Sequence, residues 1–199
     1  VALVMECWPD KWRPLLAGAI GAAANFGFLL CGLVARLWPV TQDSWRWMFL
    51  VGAAPALLVF FIMRFVPESE KWKKAAQKQV AHPVREIFGP RLLKNTLLAI
   101  ALASVALIGT WGSVQWLPIW ADQLTHGTNP AAKANTQMVQ GLGAIAGCFV
   151  APWICSLAGR RSAYFLLCLS SLVFCGWMFR NVAEFNAVFL SFAFITALT

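Results

Sequence analysis

Asn95-Thr-Leu-Leu-Ala-Ile-Ala-Leu-Ala-Ser-Val-Ala-Leu-Ile-Gly-Thr-Trp-Gly-Ser-Val-Gln-Trp-Leu-Pro-Ile-Trp120 contains no Asp, Glu, Lys or Arg. A hydrocarbon core about 30 Å thick needs about 20 mostly apolar residues at about 1.5 Å each, so this run is long enough to cross a bilayer as a helix. Residues 14–35, 47–66, 138–158 and 162–179 form further runs that come close to or exceed that length. Buried helices of a soluble protein rarely repeat at this length with so few charges. The chain is 60% hydrophobic and 12% charged, against about 45–50% and about 25% in an ordinary soluble domain. The fold class is all-α: a polytopic transmembrane helical bundle.

The ends fit the same pattern. Val1–Met5 reads as the tail of one span and Phe185–Thr199 as the head of another, so the whole protein is expected to be longer at both ends. The start has no basic segment and no cleavage site of the signal-peptide kind. The six cysteines form no Cys-x-x-Cys pair and mostly sit in apolar runs, where a thiol behaves as a small hydrophobe. Neither a disulfide framework nor a metal site is indicated, and no cofactor is implied. Trp8, Trp12, Trp38, Trp45, Trp47 and Trp120 lie near run ends, where an indole suits the interface.

The net charge of +8 has a topological explanation rather than a nucleic-acid one. Counting the runs as five complete spans, loops on one side hold Lys11, Arg13, Arg64, Lys71, Lys73, Lys74, Lys78, Arg85, Arg91, Lys94, Arg160 and Arg161. The other side holds Arg36, Arg46, Lys133 and Arg180. Short loops rich in Lys and Arg stay in the cytoplasm. Glu6–Arg13, Arg64–Lys94 and Gly159–Arg161 are therefore expected inside, and Leu37–Arg46, Ala121–Gln137 and Arg180–Glu184 outside, in a cell or inner membrane. The 64–94 loop, punctuated by Pro67, Pro83 and Pro90, is the main break in the chain. It reads as a linker whose charge fixes orientation; a surface for anionic lipid is the alternative.

Short motifs sit on these loops. Glu6-Cys-Trp-Pro9-Asp-Lys-Trp-Arg13 has the form E-x-x-P-x-x-x-R and precedes a span; Trp45-Arg46-Trp47 opens the next, which ends at Pro67-Glu68-Ser69-Glu70-Lys71-Trp72; Gly159-Arg160-Arg161 joins the fourth span to the fifth. In order and spacing this resembles the major facilitator superfamily, from the end of helix four to part of helix ten of a twelve-helix transporter. The E-x-x-P-x-x-x-R segment and the Pro67-Glu68-Ser69 segment are similar to those of sugar porters and bacterial metabolite–proton symporters, and Gly159-Arg160-Arg161 resembles the end of the family's cytoplasmic signature. The resemblance implies residues 1–66 as the end of an N-terminal half-bundle, 67–94 as a basic linker and 95–199 as the start of a C-terminal half-bundle. It also implies a cytoplasmic gate of charge pairs among Glu6, Arg13, Glu68, Arg160 and Arg161.

Departures narrow the reading. The full cytoplasmic signature has an Asp where this chain has Ser156, and sugar porters carry a Gln where it has Gly21. A typical hexose porter is thus disfavoured against a relative with another metabolite. The Gly-Pro pair of proton antiporters is missing from the first span, which leaves symport or facilitated diffusion.

Within the spans, Pro14, Gly18, Gly21, Asn25, Phe28 and Gly32 share one sector at about 100° per residue. Two readings are open for it: a packing seam with Asn25 bonded to a neighbour, or Asn25 on the substrate path. Gly143-x-x-x-Gly147 reads as a packing pair. In the third span Gly109, Gly112 and Pro118 predict a kink or unwound turn. Ser104, Ile108, Trp111, Gln115, Pro118 and Asp122 fall near one line of an unbroken helix. Gln115 there suits a hydroxyl or carboxylate of a solute, with Trp111 stacked on its apolar face; a helix–helix hydrogen bond with Trp111 filling space is the other reading. No Asp, Glu or Lys lies in the middle of a complete span, so a proton-carrying carboxylate is not expected in this segment.

The function expected is transport of a small polar metabolite, a sugar or organic acid, by alternating access, with protons as coupling ion in the symport case. The partners are that solute and the lipid bilayer. The competing classes are an integral membrane enzyme and a non-transporting bundle. His82 and His126 fall on opposite sides of the membrane with no carboxylate pair beside either, which disfavours the enzyme. A plain bundle leaves the ordered loop motifs unexplained.

Overall fold

The computed structural model describes Pro9, residues 12–41 and 43–65, Lys73, and residues 87–199. Among these residues the secondary structure is helical, with no strand. Five helices are long and apolar enough to cross a membrane. They are α1 (Arg13–Leu37), α2 (Trp45–Phe65), α3 (Leu93–Leu124), α4 (Ala131–Ala158) and α5 (Arg160–Asn181), and a shorter α6 (Ala187–Leu198) follows. Val1–Met5 lies outside the described residues.

The expected spans reappear within a few residues, except at α4. The apolar run begins at Met138, yet the helix begins at Ala131. Hydropathy finds where a helix enters lipid, not where it starts. The start is set by Asn129, whose Oδ1 accepts the Ala131 N–H at 3.1 Å, and by Pro130 at the N-cap. The external connection expected over Ala121–Gln137 accordingly shrinks to the turn between Leu124 and Ala131. His126 and Gly127, with φ of 49° and 71°, reverse the chain there. Asn186 caps α6 in a similar way, its Oδ1 accepting the Phe189 N–H at 3.0 Å.

The chain divides into two compact units, one of Val1–Gln42 with Gly109–Thr199 and one of Asp43–Ile108. In the first, α4 is the central element. Its glycine-bearing faces meet α1 on one side and α6 on the other. A Cβ on Gly18 would lie 2.5 Å from the Cys148 carbonyl oxygen, and one on Gly32 2.9 Å from Met138 Cγ. From α4, a Cβ on Gly141 would lie 3.1 Å from Leu29 Cα. Residue numbers that rise along α1 fall along α4, so the two helices are antiparallel. Gly143 and Gly147 press on the backbone at Phe194 and Leu198, which makes α4 and α6 parallel with α5 returning between them. In lipid there is no hydrophobic gain from joining helices, so this backbone approach is what dispersion forces require.

The end of α3 completes the unit. Leu117, Ala121, Ala132, Met178, Val182, Phe189 and Ala193 form its core. Trp120 stacks on Phe179 at 4.8 Å, and Trp177 on Phe192 at 4.4 Å.

The second unit holds α2 and the first part of α3. α2 is interrupted by a 3-10 turn, Ala54–Leu57, around Pro55. The Arg46 guanidinium lies 4.7 Å from the centroid of Trp45. Thr96 Oγ1 donates to the Ile87 carbonyl at 2.8 Å, tying the approach segment to the start of α3.

Candidate functional site

The kink expected in the third span is present. α3 runs as α-helix over Leu93–Gly112, passes through a 3-10 turn, Val114–Trp116, and resumes over Leu117–Leu124. Three residues produce the break. Gly112 lacks the Cβ that favours regular helix, Ser113 leaves helical geometry at φ −132°, ψ −63°, and Pro118 has no N–H for the ladder. The Ser113 hydroxyl donates to the Gly109 carbonyl, taking over an acceptor that the interrupted ladder leaves.

The break divides the stripe read over Ser104–Asp122. That stripe assumed a continuous helix. Here Ile108 and Trp111 are 72% and 64% exposed, while Pro118 is buried. Gln115 sits in the turn itself, half-buried. Trp111 lies in the last turn of the first segment and Gln115 in the 3-10 turn that follows, on either side of Ser113. Asp122, at the far end, pairs with Lys133 at 3.1 Å across the connection to α4.

Asn25 lies on the α1–α4 seam. Its Nδ2 donates to the Gly21 carbonyl at 3.1 Å and to Cys148 Sγ at 3.7 Å. This is the geometry of a packing seam with Asn25 bonded to a neighbour. Gly21 belongs to the same contact, since a Cβ there would lie 3.0 Å from Cys148 Sγ. A side chain at position 21 would require the Cys148 thiol to move aside.

Of the gate residues, Glu6 and Glu68 lie outside the described residues. Arg13 begins α1, and Arg160 and Arg161 begin α5 after Gly159, whose φ is 79°. The antiparallel α1–α4 register sets Arg13 at the same end of the helix pair as the Gly159–Arg161 turn. Arg160 and Arg161 are exposed, and neither has an ion-pair partner among the described residues.

One polar residue of the site escaped the sequence reading. Gln140, in α4, is 5% exposed. Its Nε2 donates to the Val114 carbonyl at 2.6 Å, across 26 residues of sequence. The peptide it holds is the one that leads into Gln115. A Gln inside a span was itself the available signal; the neighbouring Gly143-x-x-x-Gly147 drew the reading of that helix toward packing instead.

Five helices of membrane length among the described residues define a multi-pass membrane protein. The profile of the Major Facilitator Superfamily matches residues 1–199, and the chain belongs to that family. It is 28% identical over 182 residues to the "Probable 4-methylmuconolactone transporter" of Cupriavidus pinatubonensis, covering 89% of this chain and 41% of the relative. It is 26% identical over 183 residues to the "Cis,cis-muconate transport protein" of Acinetobacter baylyi, covering 86% and 43%. It is 28% identical over 148 residues to the "3-(3-hydroxy-phenyl)propionate transporter" of Escherichia coli, covering 74% and 35%. The chain thus spans less than half the length of these relatives. No solved structure matches it.

Proposed function

We propose that this chain is part of a transporter that carries a small organic acid, rather than a hexose or a chemically altered product, across the membrane by alternating access. The family match over residues 1–199 carries the reading. The relatives named for muconate, muconolactone and hydroxyphenylpropionate favour an organic acid within the sugar-or-acid class. The Cys148 thiol against Gly21, where sugar porters place a Gln, agrees with that choice. The half-bundle division at 1–66, 67–94 and 95–199 belongs to the same reading.

Solutes of such transporters bind where helices are discontinuous and backbone and side-chain polar groups are free to meet them. Here that place is the Gly109–Pro118 break. Gln115 supplies amide donors and an acceptor, and Trp111 supplies a flat apolar face. Uptake of cis,cis-muconate, 4-methylmuconolactone and 3-(3-hydroxyphenyl)propionate by the intact protein tests this, with Gln115→Ala and Trp111→Ala at matched membrane expression. The expected result is a KM raised about tenfold, the worth of one or two lost contacts. Unchanged kinetics in both variants move the site elsewhere.

Proton coupling is the finer part of the proposal, and an imposed pH gradient across proteoliposomes decides it: uptake indifferent to the gradient means facilitated diffusion. The gate is proposed to use Arg13, Arg160 and Arg161 with Glu6 and Glu68. Normal transport rates in both Arg160→Ala and Arg161→Ala end that part. For orientation, a Cys at position 133 in a background without other cysteines reacts with an impermeant thiol reagent outside intact cells, and one at position 161 does not.

A further inference from the structure

Gln140 presents two ends, and only one is used. Its Nε2 bonds the Val114 carbonyl at 2.6 Å. The reverse flip of the amide would set two oxygens at that distance, so the orientation is determined. Its Oε1 is then buried with no hydrogen-bond partner among the described residues. A buried acceptor without a donor is costly and uncommon, and it calls for an explanation.

The surroundings of Gln140 point the same way. At about 100° per residue, Lys133, Gln137, Gln140, Ala144, Ala151 and Cys155 fall within about 60° of one another on α4. The opposite flank carries Leu142, Phe149 and Trp153, all exposed. One flank is large and apolar, as lipid requires; the other is small and polar, and on it Lys133 pairs with Asp122 and Gln137 donates to the Phe28 carbonyl at 3.3 Å, which leaves the Gln140 oxygen as the acceptor without a partner among the described residues. Gln140 stands two residues past Met138, where the apolar run of α4 begins, about 3 Å along the axis and so near the end of the span that the Leu124–Ala131 turn closes.

Resting on the transporter reading above, we infer that Gln140 is a specificity residue that accepts a hydrogen bond from a hydroxyl group of the transported solute. An amide oxygen cannot bind a carboxylate, which has no proton to give at neutral pH and repels it. A hydroxyl supplies the missing donor. The buried oxygen is reached when the Val114–Trp116 turn shifts, and the turn can do so without leaving the Val114 carbonyl bare, because that carbonyl also accepts the Leu117 N–H. Gln140 thereby links reading of the hydroxyl to the position of Gln115.

The test compares uptake of 3-(3-hydroxyphenyl)propionate with that of 3-phenylpropionate, the same acid without its phenolic hydroxyl. The intact protein in proteoliposomes is measured as wild type, Gln140→Leu and Gln140→Met, at matched incorporation. The wild type is expected to favour the hydroxylated acid about tenfold in kcat/KM. Both variants should bring the two acids within about twofold, by loss on the hydroxylated acid alone. Equal uptake of the two acids by wild type overturns the inference, as does a preference that survives either variant. An equal loss on both acids makes Gln140 a prop for the turn and also overturns it. Uptake of muconate without either phenylpropionate overturns the hydroxyl reading alone; uptake of no organic acid at all overturns the transporter reading beneath it.

Discussion

α3 and α4 are both long enough to cross a bilayer and both contain glycines, yet they put glycine to opposite uses. In α4, Gly141, Gly143 and Gly147 lie against the backbones of Leu29, Phe194 and Leu198. In α3, Gly109 and Gly112 have, among the described residues, no foreign atom within 4 Å of where a Cβ would stand. No residue of Leu93–Gly112 is buried, whereas α4 buries Ala132, Ala134, Thr136, Gln140 and three glycines. The missing Cβ is therefore a contact surface in one helix and a backbone freedom in the other. The first makes a rigid seam; the second allows a break beside Gln115.

The largest effect should come from filling the seam. Gly143→Ala and Gly147→Ala force a methyl group into the opposing carbonyls and should destabilise the protein by about 1–3 kcal/mol, read as a lowered unfolding midpoint in detergent. Gly109→Ala is the counterpart. With nothing to strike, and with helix propensity gained, it should be neutral or stabilising by up to about 1 kcal/mol while slowing uptake, since it stiffens the break. Equal destabilisation at positions 109 and 143 would erase the contrast between the two helices.

A smaller effect is expected at Asn25. Its bond to Cys148 Sγ is long, and polar contacts between membrane helices average about 0.6 kcal/mol. Asn25→Ala should cost about that much stability and leave the KM for any transported acid unaltered. A KM raised at normal expression would put Asn25 on the solute path as well as in the seam. The smallest effect belongs to the Asp122–Lys133 pair, whose side chains are 39% and 52% exposed. Asp122→Asn should change stability by no more than about 0.5 kcal/mol, and added salt should abolish even that. A larger loss would mean that this short connection, rather than the aromatic core beside it, clamps the outer ends of α3 and α4.

The spans were legible in the sequence because a bilayer imposes a length and a polarity on every helix that crosses it, and both are local properties. The break in α3 was legible for a similar reason: Gly109, Gly112 and Pro118 act on their own backbone, whatever surrounds them. Gly18, Gly21, Asn25 and Gly32 could be placed on one sector, but a sector does not say what it faces. That depended on Cys148, 123 residues beyond Asn25. Gln140 was less legible still. Nothing near it in sequence distinguishes a Gln that bonds its own helix from one that bonds the carbonyl of a broken turn 26 residues away. The sequence determined which segments enter the membrane and where one of them fails to stay helical, because those outcomes follow from residues acting on their neighbours and on lipid. Only the tertiary structure decided which glycines are contacts, which partner Asn25 takes and which end of Gln140 is bonded to the Val114 carbonyl, because a hydrogen bond or a van der Waals contact exists only between groups that folding brings within a few ångströms of each other.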